Sequence, residues 1–211
     1  MNKISIIGVG PGAKEYVLPI ALKQIKEADC LIGAKRTLKL FKNLHKEELA
    51  FECNFSNIIP YIRKHRSKKK IAILVSGDSG LFSFLGKMSK EFKKNEYEAI
   101  PGISSMQLAF AKIGESWQEA KIISLHGRNI AHLATLIRNS TTAFLLTDPD
   151  FPPEKIAAYL LHKGIGKRKA FVFENLSYPN ERIINTNLKK LSKMKGFGLC
   201  VMIIKKENST E

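Results

Sequence analysis

Apolar residues fall along this chain in short blocks separated by helical spacings, which is the pattern of strands alternating with helices. Ile71 to Val75 is an unbroken apolar run, as expected of a strand covered on both faces in a parallel sheet. Ile4 to Ile7 and Cys30-Leu31-Ile32 read as strands before it. Between those two, Val17, Ala21, Ile25 and Ala28 share one helical face, with Pro19 tolerated in the first turn. The pattern next predicts a helix from about Lys35 to Leu44, a short strand at Leu49-Ala50-Phe51, and a helix opening at Ser56 or Asn57 with Pro60 in its first turn. After Val75 the chain turns at Gly77 and Gly80. It restarts near Gly80 as a helix carrying Leu81, Phe84, Leu85, Met88 and Phe92, for which Asp78 and Ser79 offer caps. Tyr97 to Ile100 is a further strand. It runs into a helix with Met106, Leu108, Ala109, Phe110 and Ile113.

Ile113-Gly114-Glu115 reads as a boundary, and Ser116-Trp117-Gln118-Glu119 has the spacing of a capping box. The alternation then begins again. Strands are expected at Ile122 to Leu125, Thr142 to Leu146, Ala170 to Phe173 and Leu199 to Ile204, with helices near Ile130 to Arg138 and Pro152 to His162. The expected fold class is therefore α/β, with two α/β domains over 1–114 and 115–211. Such a pair ordinarily leaves a cleft into which the glycine turns would open.

Composition changes this picture little. Of the 211 residues 44% are hydrophobic and 26% charged, an ordinary globular balance. No apolar stretch approaches the roughly 20 residues of a membrane helix. The first residues enter a strand without a small-residue cleavage site, so a cytoplasmic protein is expected. Cys30, Cys53 and Cys200 are odd in number, far apart and set in or beside apolar segments, which suits buried thiols rather than a disulfide or zinc framework. The five histidines form no ligand spacing, and no metal is expected.

Charge changes it more. The formal net charge is +16. Arg63-Lys64-His65-Arg66-Ser67-Lys68-Lys69-Lys70 has the look of a phosphate-binding patch, but it joins a helix to a buried strand and lacks interleaved aromatics to stack on bases. A solvated loop is the better account of it. A small polyanionic substrate would need only a few of these cations in one place.

Several candidate ligand loops leave the carboxyl ends of strands, where open α/β sheets bind their ligands. Gly8-Val9-Gly10-Pro11-Gly12-Ala13 satisfies the dinucleotide fingerprint formally. However, Pro11 removes an amide donor, and Gly33-Ala34-Lys35-Arg36 puts two cations where a nicotinamide site has an acid. The Gly77-Asp78 turn, Pro101-Gly102-Ile103-Ser104-Ser105, His126-Gly127-Arg128 and Glu174-Asn175-Leu176 occupy comparable positions. Plain capping or packing explains each of them taken alone.

Together, Gly8 to Gly12, Gly77-Asp78, Pro101 to Ser105 and Glu174 to Leu176, in this order and spacing, resemble the tetrapyrrole methylase family from about residue 3 to residue 205. The resemblance implies two α/β domains with the site between them and methyl transfer from S-adenosylmethionine. It implies a cofactor site at Pro11, Ser76, Gly77, Asp78, Leu81, Ser104, Ser105, Leu146 and Leu176, and places Gly10 on the substrate side. Ser79 and Ser105 depart from the proline and alanine common there. Gly33 to Arg36, Pro101 to Gln107, Trp117, Ser124 to Arg128, Leu146 to Pro149 and Glu174 to Arg182 resemble the branch that methylates C5 of a cobalt-precorrin. Relatives of that branch fused to a decarboxylating enzyme are longer, which implies a separate decarboxylating protein in the pathway. The family's habit implies a homodimer. A tetrapyrrole polyacid would meet Lys35, Arg36 and Arg128, and His126 is the candidate for moving a proton. A methylase acting on RNA or on a modified protein side chain, and a non-catalytic nucleotide-binding module, are the alternatives.

Overall fold

The computed structural model describes residues 2–51, 57–127 and 130–207. The chain divides into two compact units, the first ending at Ser105 and the second beginning at Met106.

In the first unit, β1 (Ile4–Gly8), β2 (Cys30–Ala34), β3 (Glu47–Phe51), β4 (Ile71–Val75) and β5 (Tyr97–Ile100) form a parallel sheet in the order β3-β2-β4-β1-β5. Its helices are α1 (Pro19–Glu27), α2 (Lys35–Leu38), α3 (Ile58–His65) and α4 (Leu85–Glu91). Successive strand residues feed opposite faces, which is why β2 and β4, inside the sheet, are apolar throughout. Ile7, Leu31, Ala72 and Leu74 pack with Ala21 and Ile25 of α1 and with Phe41. Ile6, Ile32 and Ile73 pack with Ile58 and Ile62 of α3 and with Phe84 and Met88. The chain leaving β1 therefore covers one face, and the chain leaving β4, its neighbour, covers the other. That divergence defines a switch point between β1 and β4.

Two helical expectations need correction here. The helix expected to start near Gly80 starts at Leu85. Asp78 does not cap it; its Oδ1 instead accepts from the Gly80 and Leu81 amides in a local turn, and Phe82 has φ 49°. The expected helix over 35–44 is helical only to Leu38, and Lys39–Leu44 tightens into a 3₁₀ helix that buries Phe41 and ends at the left-handed His45.

The second unit opens with α5 (Ser105–Ile113), followed by β6 (Lys121–Ser124), α6 (Leu133–Arg138), β7 (Thr142–Leu146), α7 (Pro153–His162), β8 (Arg168–Glu174), β9 (Arg182–Asn187), α8 (Leu188–Leu191) and β10 (Cys200–Lys206). The sheet order is β6-β7-β10-β8-β9, parallel between β6 and β7 and antiparallel elsewhere. Leu133, Ile137, Ile156, Leu160 and Leu188 cover one face over Leu145, Val172 and Met202. The break falls before α5 rather than at Gly114 because the Phe110 ring lies 6.5 Å from that of Phe144. At Ser116 no helix opens; its Oγ accepts from the Gln118 amide at 3.3 Å and closes a turn. β9 and α8 have no counterpart in the sequence expectation. β9 is a mostly exposed edge strand, and Asn187 caps the single turn of α8 through Lys190 N at 2.9 Å. Among the described residues no helix is long and apolar enough to cross a membrane.

Candidate functional site

Three loops meet backbone to backbone at the carboxyl ends of β1, β4 and β5. Val9 N donates to Val75 O at 3.0 Å, Gly10 N to Gly77 O at 3.2 Å, and Gly77 N to Gly10 O at 2.7 Å. This clasp sits at the switch point. A Cβ on Gly102 would lie 2.3 Å from Gly77 O and 2.6 Å from Gly8 C, and one on Gly8 would lie 2.7 Å from Gly102 N. No side chain fits at either position. Asp78 ties the same loops from the side: its Oδ2 accepts from Gly102 N at 3.1 Å, and its Oδ1 accepts from Gly80 N at 2.8 Å and Leu81 N at 3.1 Å.

Around this clasp the first unit gathers several of the expected residues. Gly10 and Pro11 are buried, Gly77 is buried with φ 71°, Ser76 is exposed, and Asp78 and Leu81 are half-buried. Ser104 is buried and Ser105 opens α5; a Cβ on Gly77 would meet Ser104 Cα at 3.6 Å and Ser105 N at 3.8 Å. Lys35 and Arg36 are exposed in the first turn of α2, directly after β2, at this same end of the sheet. The glycine loop after β1 does not lead straight into a helix. A 3₁₀ turn at Lys14–Tyr16 intervenes and α1 starts only at Pro19, so the helix N-terminus that a pyrophosphate would use is displaced from the loop.

In the second unit the loops leaving β6, β7 and β8 carry the remaining residues. Leu125 N donates to Leu146 O at 2.9 Å. His126 Nδ1 lies 3.1 Å from Thr147 O; a carbonyl only accepts, so Nδ1 is the donor in this contact. Asp148 Oδ2 is 3.6 Å from the same Nδ1, and the His126 side chain is 71% exposed. Thr147 Oγ1 donates to Cys200 O at 2.7 Å, joining β7 to β10. Leu176 is buried in a turn where Asn175 and Ser177 have φ 48° and 71°. Two acids hold that turn. Glu174 accepts from Gly198 N at 2.7 Å and pairs with Arg182 at 2.8 Å, while Glu181 accepts from Ser177 N at 2.6 Å and pairs with Lys112 at 2.7 Å. The roles of Glu181 and Thr147 were not visible in the sequence, because their partners are distant in the chain or are plain backbone atoms. Arg128 lies outside the described residues.

The basic loop serves the fold. Arg63 pairs with Glu91 at 3.2 Å, Arg66 with Glu96 at 2.6 Å, and Lys69 with Glu47 at 2.5 Å. The Lys93 amide and then Arg66 hold the Glu96 carboxyl below the usual range, and Lys69 and then Tyr61 do so for Glu47. Among the described residues no cluster of three or more His, Cys, Asp or Glu is placed to hold a metal. A hollow of about 170 Å³ among Lys3, Ser5, Gln24, Lys70 and Glu98 lies at the opposite, amino-terminal end of the parallel strands, away from the clasp.

The sequence profile of the tetrapyrrole (corrin/porphyrin) methylases matches residues 3–192. The chain is 39% identical over 197 residues to the probable cobalt-precorrin-7 C(5)-methyltransferase of Methanocaldococcus jannaschii, covering 90% of this chain and 91% of the relative. It is 30% identical over 180 residues to the cobalt-precorrin-7 C(5)-methyltransferase of Salmonella typhimurium, covering 85% and 88%. Among solved structures it is similar to the cobalamin-biosynthesis precorrin-6Y methylase of Archaeoglobus fulgidus, with a TM-score of 0.75, 22% identity and coverage of 98% and 99% of the two chains.

Proposed function

Because this chain belongs to the tetrapyrrole (corrin/porphyrin) methylases, we propose that it transfers the methyl group of S-adenosylmethionine to C5 of cobalt-precorrin-7 in anaerobic cobalamin biosynthesis. The observation that carries the reading is the 39% identity sustained over nine-tenths of both chains.

The clasp suits a nucleoside. Gly77 has no Cβ, and one built there would reach nothing closer than ordinary contact, so a ligand can approach its backbone. Ser76 offers an exposed hydroxyl and Leu81 a half-buried apolar surface, the mixture that a ribose and an adenine need. Pro11, Asp78, Ser104 and Ser105 are assigned to the cofactor with them, as Leu146 and Leu176 are by resemblance to the family, and Gly10 is assigned to the substrate. S-adenosylmethionine supplies an electrophilic methyl on a sulfonium whose charge disappears on transfer. The protein therefore has no new anion to stabilise; it aligns donor with acceptor and excludes water. Lys35, Arg36 and Arg128 hold the substrate's carboxylates, arginine bidentately. His126 in its neutral form, with Nδ1 donating to Thr147 O, takes on Nε2 the proton that the methylated ring system sheds. Our working assembly is a cytoplasmic homodimer, which sedimentation as a monomer would contradict.

Methylation of RNA is the weaker reading, since of the Lys68 to Lys70 run that would dock it Lys69 is paired to Glu47, and the neighbouring Arg63 and Arg66 are paired to Glu91 and Glu96. A bare dinucleotide module is weaker still, given the late start of α1. The deciding experiment incubates the protein with methyl-labelled S-adenosylmethionine and cobalt-precorrin-7. Label is expected on C5 of the tetrapyrrole, and label on another carbon or no transfer overturns the proposal. In the same assay His126→Ala is expected to lower turnover about a hundredfold, and full activity removes its role. Arg128→Ala is expected to weaken tetrapyrrole binding about tenfold without changing that of S-adenosylhomocysteine; equal effects on both remove its role.

A further inference from the structure

The turn after β8 is closed by its own backbone. Tyr178 N donates to Asn175 O and Glu181 N to Tyr178 O, each at 2.9 Å, and Asn175 and Ser177 lie in the left-handed region with φ 48° and 71°. At its base Asn175 N donates to Leu199 O at 2.9 Å, and Glu174 accepts from Gly198 N at 2.7 Å. These bonds set the shape of the turn and tie it to the start of β10. One further contact leaves the turn altogether. Glu181 Oε2 accepts from Ser177 N at 2.6 Å, while its Oε1 accepts from Lys112 Nζ at 2.7 Å, 69 positions earlier in the chain and in the last turn of α5. The carboxylate therefore joins the middle of the turn to a helix that the turn's own bonds do not reach.

Neither element needs this pair to hold its fold. α5 is seated on the second sheet by Phe110, whose ring lies 6.5 Å from that of Phe144. The Lys112 and Glu181 side chains are 34% and 18% exposed, a depth at which a single ion pair adds little to stability. Burial pushes the Glu181 carboxyl up, but Lys112 and the Ser177 amide outweigh it and hold the group below the usual carboxylate range. It is charged at neutral pH, so both of its bonds are charge-assisted. What the pair fixes is a spacing. α5 opens at Ser105, and a helix holds residues seven positions apart at about 10 Å. Ser105 at one end of this strut and Leu176, buried between the two left-handed residues at the other, are both assigned above to S-adenosylmethionine.

We propose that Glu181 is a positioning residue for S-adenosylmethionine: through Lys112 it holds the Leu176 turn at the spacing from Ser105 that the cofactor spans. This rests on the functional reading above and deepens it. Lys112→Met and Glu181→Gln are each expected to weaken binding of S-adenosylhomocysteine, read by calorimetry, about fivefold to tenfold while melting within about 4 °C of wild type. The double variant is expected to bind within about twofold of either single one, because both break the same link. Lys112→Arg, which keeps the cation, is expected to stay within about twofold of wild type. Lys112→Met changes nothing inside the turn, so it decides the matter alone should Glu181→Gln not fold. A pair that serves stability only would lower the melting temperature and leave the affinity of the folded protein unchanged. That outcome, or losses that add in the double variant, overturns the proposal. A wild-type protein that does not bind S-adenosylhomocysteine overturns the functional reading and this proposal with it.

Discussion

Gly102 stands where a methyl group has no room. Its amide and Cα lie against the backbone of Gly8, with the Gly77 carbonyl on the other side, so none of the nearest atoms can swing aside as a flexible side chain would. Gly102→Ala is therefore expected to cost about 3 kcal/mol, a drop of roughly 6–12 °C in melting temperature for a chain of this size. Gly86, within α4 and with no atom within 4 Å of the place its methyl group would take, is the matching control. Gly86→Ala is expected to stabilise by about 0.5–1 kcal/mol. Thermal melts of the two variants check both, and equal behaviour contradicts the close-packed clasp. The sequence made Gly77 legible as a turn residue, and its positive φ agrees. It did not make Gly8 and Gly102 legible as partners, because their contact joins loops more than ninety residues apart and no local pattern encodes it. Asp78 was legible as an acceptor, but its donor across the clasp, the amide of Gly102, was not. The buried state expected of Cys30 and Cys200 is observed, and burial pushes the Cys200 thiol up to about 12. Cys53 falls outside the described residues.

Among whole elements, those with two apolar faces were the easiest to read. β1, β2 and β4 pack on both sides and announce themselves as continuous apolar runs. β9 was missed for the opposite reason: it is an edge strand, its Ile183 is exposed, and four of its six residues are polar without a period-two pattern. α4 was placed too early because Leu81 happens to continue the helical spacing of Phe84, Leu85 and Met88, while side-chain acceptance by Asp78 diverts the backbone first. A similar side-chain-to-backbone device fixes α6 to β8. The buried Arg168 donates to Ile137 O at 2.8 Å and Ser140 O at 2.7 Å, at the helix end where carbonyls lack the partners of the helix interior. Arg168→Met is expected to cost about 3 kcal/mol in denaturant unfolding, since it removes the guanidinium donor from the Ser140 carbonyl and leaves Ile137 O only its backbone partners, with Arg168→Lys in between. A loss below about 1 kcal/mol contradicts this account of the α6 end.

For the molecule as a whole, the alternation of strands and helices gave the α/β class, and the loop motifs in their order and spacing gave the family, while sheet order and the covering of each face came only from the structure. The order β3-β2-β4-β1-β5 places the loops after β1 and β4 side by side, and that adjacency is what turns two ordinary glycine bends into one site. The basic loop is less informative than it looks, because three of its cations pair with carboxylates of the first unit, a pairing that leaves the net charge of +16 as it is. The central claim is that the clasp at the carboxyl ends of β1, β4 and β5 holds the nucleoside of the methyl donor. Amide hydrogen exchange read by mass spectrometry, with and without S-adenosylhomocysteine, tests it most directly. The account predicts slowed exchange in the peptides spanning residues 8–11, 76–81 and 102–105. Unchanged exchange in all three, or protection confined to the amino-terminal ends of the strands around Lys3, Gln24 and Lys70, would contradict it.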